Sequence, residues 1–123
     1  MYRILVCDDE KDIVSALKIY LMADGYQVFE AYNGREALEI LKNEDIHLVL
    51  MDIMMPVMNG YEAAKMIRSL DREDAKVIPI IAMTANAFAE DVQAALHAGM
   101  DDHVAKPVDM EILTSVITKY IER

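Results

Sequence analysis

Cysteine, long apolar runs and leader-like features are scarce or missing in this sequence. Cys7 is the single cysteine, so the chain cannot form an internal disulfide. It lies in an apolar segment, which favours a buried, unreactive thiol. No apolar stretch approaches the ~20 residues that a helix needs to cross a bilayer, and no signal peptide is evident after Met1. We therefore expect a cytoplasmic protein that does not enter a membrane.

Positive charge is also scarce. The chain has 12 lysines and arginines against 22 aspartates and glutamates, which gives a net charge of -10. Binding to a nucleic-acid backbone requires a basic face, so we expect no direct nucleic-acid binding. The histidines His47, His97 and His103 are too scattered to predict a zinc site. The methionines within residues 51–58 are interpreted as core and loop packing, because soft-metal sites built from methionine are rare.

The sequence does contain a regular alternation of strand-like and helix-like segments. Its 123 residues, 54% of them hydrophobic, predict one domain over residues 1–123 with a substantial core. Strands are predicted at residues 2–8, 26–31, 47–52, 77–83 and 103–106. Helices are predicted at residues 12–24, 61–70, 87–98 and 110–122, and a further helix opens at a capping box formed by Asn33 and Glu36. Five βα units predict an α/β fold with a mostly parallel sheet covered on both faces.

Polar residues follow four of these predicted strands at the point where each strand ends. Asp8 and Asp9 follow the first strand, and Asp52 ends the third. Thr84 follows the fourth strand and Lys106 ends the fifth. Ligands of open α/β sheets bind at the carboxyl ends of the strands, so we expect these five side chains to share one pocket.

The chemistry of such a pocket is that of an acidic metal site. Two carboxylates ~4 Å apart repel each other by roughly 4 kcal/mol at an effective dielectric constant near 20. A divalent cation relieves this repulsion, and Mg²⁺ prefers hard oxygen ligands. With Mg²⁺ and Lys106 present, a phosphoryl group can enter, and a carboxylate can attack it to form an acyl phosphate. The hydroxyl of Thr84 can then donate to the phosphoryl oxygens.

The segments around these residues resemble the receiver domain of two-component response regulators over essentially the whole chain. Residues 5–10 read LVCDDE, residues 50–56 LMDIMMP, residues 59–60 NG, residues 83–85 MTA and residues 106–107 KP. The combination is specific, although each piece alone is not. The resemblance implies a flavodoxin-like (βα)5 three-layer sandwich with parallel strand order 2-1-3-4-5.

The resemblance also implies a role for each acidic residue. Asp52 matches the phosphoacceptor of the family. Asp9, Asp52 and the backbone carbonyl of Met54 would bind Mg²⁺, and Asp8 would act through water. The domain would catalyse phosphoryl transfer to its own aspartate and slow dephosphorylation, without being an enzyme in the usual sense.

The switch and the partners follow from the same resemblance. Thr84 and Lys106 match the switch hydroxyl and the phosphate-pairing lysine. His103 stands where many receivers carry tyrosine or phenylalanine, and its imidazole can swing inward and also titrate. The implied donor is a sensor histidine kinase or a histidine phosphotransfer domain, and phosphorylation would alter the surface of the last two helices. We also expect an output domain or protein that responds to phosphorylation, and a dimer that forms on phosphorylation. The segment from residue 81 to 103 favours a hybrid-kinase-like or stand-alone subtype.

Three other functions remain as alternatives. An aspartate-nucleophile phosphatase of the haloacid dehalogenase type also forms an acyl phosphate, but it needs a second aspartate where this chain has Met54. A flavodoxin needs a Ser/Thr/Gly-rich phosphate loop after the first strand, where the acidic residues 8–10 would repel phosphate. A receiver-like binding module that works without phosphorylation would not need Asp9, Asp52, Thr84 and Lys106 together.

Overall fold

The computed structural model describes residues 1–85 and 89–121, apart from the side chains of residues 89–91. Within these residues the strands are β1 (Arg3–Cys7), β2 (Gln27–Ala31), β3 (Leu48–Asp52), β4 (Ile80–Thr84) and β5 (Asp102–Ala105). The helices are α1 (Lys11–Ala23), α2 (Gly34–Asn43), α3 (Gly60–Arg68), α4 (Ala89–His97) and α5 (Met110–Ile121). No helix in this part of the chain is long and apolar enough to span a bilayer.

The sheet has the predicted order. Its strands run β2-β1-β3-β4-β5, and every neighbouring pair is parallel. The central strands β3 and β4 are buried along their whole length, which explains their continuous apolar sequences. The more polar β2 lies at one edge of the sheet.

Each face of the sheet carries its own core. Leu5, Val49 and neighbouring residues pack against α2, α3 and α4. Ile4, Leu48 and their neighbours face the other way and pack against α1 and α5. This arrangement is the predicted three-layer sandwich, and it leaves the carboxyl ends of the strands open at one edge for a site.

The start of β4 was predicted wrongly. The expected strand at residues 77–83 begins only at Ile80, and a short 3-10 helix, Asp74–Lys76, precedes it. Ala75 anchors that helix in the core, whereas Val77 is 77% exposed. The apolar character of Val77 therefore does not reflect strand pairing. The first two residues of the predicted helix 87–98 and the last residue of the predicted helix 110–122 lie outside the described residues.

The inward faces of the helices are apolar at helical spacing. Leu17 and Leu21 of α1, four residues apart, are buried together with Val14. Met66 of α3 and Ile112 of α5 are apolar as well, but each is about half exposed.

The predicted capping box is only half formed, and a complete one occurs elsewhere. The side chain of Asn33 accepts from the backbone N–H of Glu36 at 2.9 Å, but Glu36 accepts from Tyr32 and not from Asn33. At the start of α3, Asn59 and Glu62 satisfy each other's backbone N–H groups, at 2.9 and 3.1 Å.

Asn59→Ala should lower the free energy of unfolding by about 1 kcal/mol, because it leaves a helix N–H donor without its cap. Urea denaturation measures the change. Asn43→Ala, which removes an exposed bond at the end of α2, is the matched control and should cost less. Equal losses in the two variants would contradict the assigned role of the cap.

Candidate functional site

The carboxyl ends of the strands bring four of the predicted side chains together. Asp8 directly follows β1, Asp52 and Thr84 end β3 and β4, and Lys106 follows β5. Asp8, Asp52 and Thr84 are 0%, 3% and 2% exposed. The backbone N–H of Lys106 donates to the carbonyl oxygen of Thr84 at 2.7 Å, which fixes the lysine at the end of the sheet. The peptide bond between Lys106 and Pro107 is cis.

One ammonium group serves two buried carboxylates. Nζ of Lys106 lies 2.7 Å from Oδ2 of Asp8 and 3.2 Å from Oδ1 of Asp52. The side chain of Lys106 is itself mostly buried. Two negative charges therefore face a single positive charge in a region of low dielectric constant, and the site is short of positive charge.

This shortage appears in the pKa values. Burial, and then the charge of Asp8, raise the pKa of Asp52 from 3.8 to about 6, although Lys106 acts in the opposite direction. Burial alone would lower the pKa of Lys106, but its hydrogen bond to Asp8 and the charges of Asp52 and Asp8 outweigh burial and raise it. The pocket is thus prepared to accept a further cation.

The acidic pair extends this pocket to the surface. Asp9 is exposed at the rim, and carboxylate oxygens of Asp8, Asp9 and Glu10 can lie within 4.8 Å of one another. Oδ1 of Asp8 accepts from the backbone N–H of Glu10 at 2.9 Å. Oδ2 of Asp8 is buried and, apart from the ion pair with Lys106, has no hydrogen-bond partner among the described residues. This set of hard oxygen donors fits a hydrated Mg²⁺ ion.

The loop after Asp52 passes too close to β3 for a side chain at its end. A Cβ atom on Gly60 would collide with the backbone carbonyl oxygen of Asp52 and lie 2.9 Å from Cα of Ile53. The backbone N–H of Gly60 donates to the carbonyl oxygen of Ile53 at 3.0 Å and closes the loop. Glycine at this position therefore allows the start of α3 to pack against the end of β3.

The methionines of this loop do not all pack inside. The Met54 side chain is 73% exposed, so its interpretation as packing was wrong. Its backbone N–H donates to Oδ1 of Asp52 at 3.3 Å. Met55 is buried, with Sδ 3.7 Å from Sγ of Cys7, and the Cys7 thiol is buried as predicted.

His103 belongs to a second polar cluster, which the sequence did not reveal. Its Nδ1 lies 3.8 Å from Oδ1 of Asp102, whose Oδ2 accepts from the Tyr120 hydroxyl at 3.2 Å and lies 3.6 Å from Nζ of Lys119. The sequence does place the acidic Asp102 directly before His103, and this neighbour could have indicated the cluster. A switching role for His103 stays a prediction.

Comparison with known proteins identifies the family. Residues 4–118 match the family described as "Response regulator receiver domain". The chain belongs to this family. Receiver domains are the phosphoacceptor signalling switches of two-component systems, so the flavodoxin and phosphatase alternatives are set aside.

The receiver domain resembles parts of much longer curated proteins. It is 39% identical over 120 residues to the sensor histidine kinase RcsC of Escherichia coli K12. The match covers 98% of this chain but only 12% of RcsC. The chain therefore spans only a small part of the length of such relatives.

Solved structures match the receiver domain over nearly its full length. The chemotaxis protein CheY4 of Vibrio cholerae superposes with a TM-score of 0.93 at 29% identity, covering 98% of this chain and 99% of CheY4. The receiver domain of the Pseudomonas aeruginosa sensor histidine kinase PA1611 was solved with a magnesium ion in its active site cleft. It matches with a TM-score of 0.89 at 32% identity, and the match covers 99% of this chain and 98% of that domain. The Saccharomyces cerevisiae Ssk1 receiver domain was solved with the histidine phosphotransfer protein Ypd1. It matches with a TM-score of 0.89 at 31% identity, and the match covers 97% of this chain and 88% of that chain. These likenesses confirm the predicted fold.

Proposed function

We propose that Asp52 accepts a phosphoryl group in a Mg²⁺-dependent reaction and that this modification switches the domain. The observation that carries the proposal is the geometry at the end of β3, where the buried Asp52 carboxylate lies beside Asp8 and 3.2 Å from the Lys106 ammonium. An oxygen of Asp52 attacks phosphorus while the phosphorus–nitrogen bond of a donor phosphohistidine breaks, and the electron pair returns to the imidazole.

A Mg²⁺ ion fits the donor set of the site. Asp9, Asp52 and the backbone carbonyl of Met54 would hold it, with Asp8 acting through water. When bound, the ion supplies positive charge that offsets the clustered carboxylates and the incoming phosphoryl oxygens. Receiver domains bind Mg²⁺ at this acidic site, which supports the assignment.

Lys106 and Thr84 complete the site. The Lys106 ammonium already touches the attacking carboxylate, so a small movement lets it pair with a phosphoryl oxygen. The Thr84 hydroxyl, at the end of the neighbouring strand, can donate to another. Drawing Thr84 toward Asp52 would allow His103 to follow and would change the surface of β5, α4 and α5.

The partners follow from the family. Receiver domains interact with histidine kinases and phosphotransfer proteins, and we propose one of these as the phosphodonor here. A separate output domain or protein would read the altered α4 and α5 surface, either directly or through a phosphorylation-dependent dimer. We propose that residues 1–123 form one receiver domain, and the sheet that joins both cores supports this. A cytoplasmic location is part of the same proposal.

Incubation with acetyl phosphate tests this proposal. We expect the intact mass to rise by one phosphoryl group in the presence of Mg²⁺ and to stay unchanged in EDTA. Labelling that proceeds equally in EDTA would refute the role of the metal. Sustained release of inorganic phosphate at many turnovers per minute would contradict a phosphoryl group that stays on Asp52 long enough to act as a switch.

A further inference from the structure

The loop between β3 and α3 is held by two inward-facing methionines. Its ends are fixed by the bond between Gly60 and Ile53, at 3.0 Å. Between them, Met55 is buried and Met58 is half buried against the core of α2 and α3, whereas Val57 is 97% exposed. The backbone that carries the proposed metal ligand Met54 is therefore positioned by anchors farther along the loop.

Met58 occupies the space that a side chain at position 34 would fill. A Cβ atom on Gly34 would lie 2.6 Å from Sδ and 3.0 Å from Cγ of Met58, and 3.2 Å from Cβ of Ala63. Ala63 is fully buried in α3 and cannot retreat. Glycine at the first position of α2 thus creates a seat for Met58, and the seat joins the loop to α2.

The backbone next to this seat is strained. Val57 has a φ of 69°, a conformation that β-branched residues rarely adopt. The N–H of Met58 donates to the carbonyl oxygen of Pro56 at 2.8 Å, which makes a tight turn around Val57. Strain of this kind persists only where the surroundings impose it, and it is common at functional sites. The packed Met58 side chain and the Asn59 cap are the constraints that directly follow Val57 in the chain.

We propose that the contact between Gly34 and Met58 is a positioning element of the magnesium site, because it fixes the loop that presents the Met54 carbonyl. The inference rests on the proposed function. It assigns Gly34 and Met58 an indirect role in Mg²⁺ binding, without contact to the metal. Outer residues that orient metal ligands commonly change metal affinity by about 10- to 100-fold when they are substituted. Here the effect would pass through the backbone between residues 54 and 58.

Mg²⁺ titration of the unphosphorylated domain, followed by backbone amide NMR, tests the proposal. We expect Gly34→Ala to weaken Mg²⁺ binding by about 10-fold, since the added methyl group displaces Met58. Met58→Ala should weaken binding to a similar extent because it removes the same anchor. The double variant should bind no more weakly than Met58→Ala alone, as expected for two changes to one contact.

Two control variants separate positioning from stability. Gly25→Ala introduces strain at a φ of 95° with no atom within 4 Å of the new Cβ, so it should destabilise the fold without changing Mg²⁺ affinity. Met66→Ala removes an exposed methionine from α3 and should leave affinity unchanged. If Gly34→Ala does not fold, Met58→Ala carries the test, because it adds no atoms.

The outcomes distinguish this inference from the proposed function. Wild-type Mg²⁺ affinity retained in Gly34→Ala and Met58→Ala would overturn the inference alone. Independent, additive losses in the double variant would also overturn it. A wild-type domain that binds no Mg²⁺ would overturn the proposed function together with the inference.

Discussion

Asp52→Asn should abolish phosphoryl uptake and, at the same time, make the metal-free domain more stable. The amide cannot act as the nucleophile, so incorporation from acetyl phosphate should fall by at least about 100-fold. The stability gain comes from removing one of the two buried carboxylates that share Lys106. A carboxylate with a purely structural role would behave in the opposite way, and its substitution would lower the stability.

The gain should depend on pH in a defined direction. The pKa of Asp52 is raised from 3.8 to about 6, so the folded state binds this proton more tightly than the unfolded state does. The free energy of unfolding contributed by this group therefore falls as pH rises between those two values. Asp52→Asn should match the wild type near pH 4 and exceed it above pH 6.5, by at most about 3 kcal/mol.

Urea denaturation in EDTA across this pH range measures the effect. Asp71→Asn changes an exposed acidic residue, and it should leave both phosphorylation and the pH profile unchanged. An Asp52→Asn variant that is less stable than the wild type at pH 7 would show that Lys106 already compensates both carboxylates.

Arg68→Met should have the largest effect on stability, a loss of about 3–5 kcal/mol. Nε and Nη2 of Arg68 donate to the carbonyl oxygen of Gly99, at 3.0 and 2.7 Å. Nη1 donates to the carbonyl oxygens of Ala75 and Ile78, at 3.2 and 2.7 Å, and Nη2 pairs with Asp101 at 2.9 Å. Hydrogen bonds to a charged group contribute about 1.5–3 kcal/mol each and are not additive, so losing the set should cost several kcal/mol.

The design separates the hydrogen bonds from the charge. Arg68→Lys keeps the charge but cannot reach all three carbonyl groups, so it should recover less than half of the loss. Arg35→Met removes an exposed arginine from α2 and should change the free energy of unfolding by less than about 0.5 kcal/mol. A loss below about 1 kcal/mol for Arg68→Met would mean that water replaces the guanidinium without penalty.

The position of the candidate site was predictable because it depends on a rule of parallel sheets. Apolar runs buried on both faces identified the strands, and the polar residues at their ends had to meet at one edge. The strand order itself came from the resemblance to receiver domains. The pairing of Lys106 with both Asp8 and Asp52 was not predicted, since sequence does not specify how a flexible side chain divides its contacts.

Other features depend on contacts between distant segments. The start of β4 was misplaced because Ala75 and Arg68, rather than local propensity, decide where the preceding 3-10 helix ends. Arg68 lies directly after the buried Ile67. Its position in the sequence gives little indication that its guanidinium group bonds to backbone carbonyl groups. The cluster around Asp102 joins β5 to α5 over a separation of 18 residues. A contact of this kind leaves no periodic pattern in the sequence.

The close approach at Gly60 bears on how related signalling pathways diverge within one cell. A Cβ atom on Gly60 would collide with the end of β3, so the backbone beside Asp52 depends on a position that cannot carry a side chain without rearrangement. A few residues away, Met54 and Val57 project into solvent, where substitutions need not disturb the core. A duplicated copy of such a domain can thus change the surface residues that partners contact while its central residues stay the same. Two related pathways can in this way come to bind different partners.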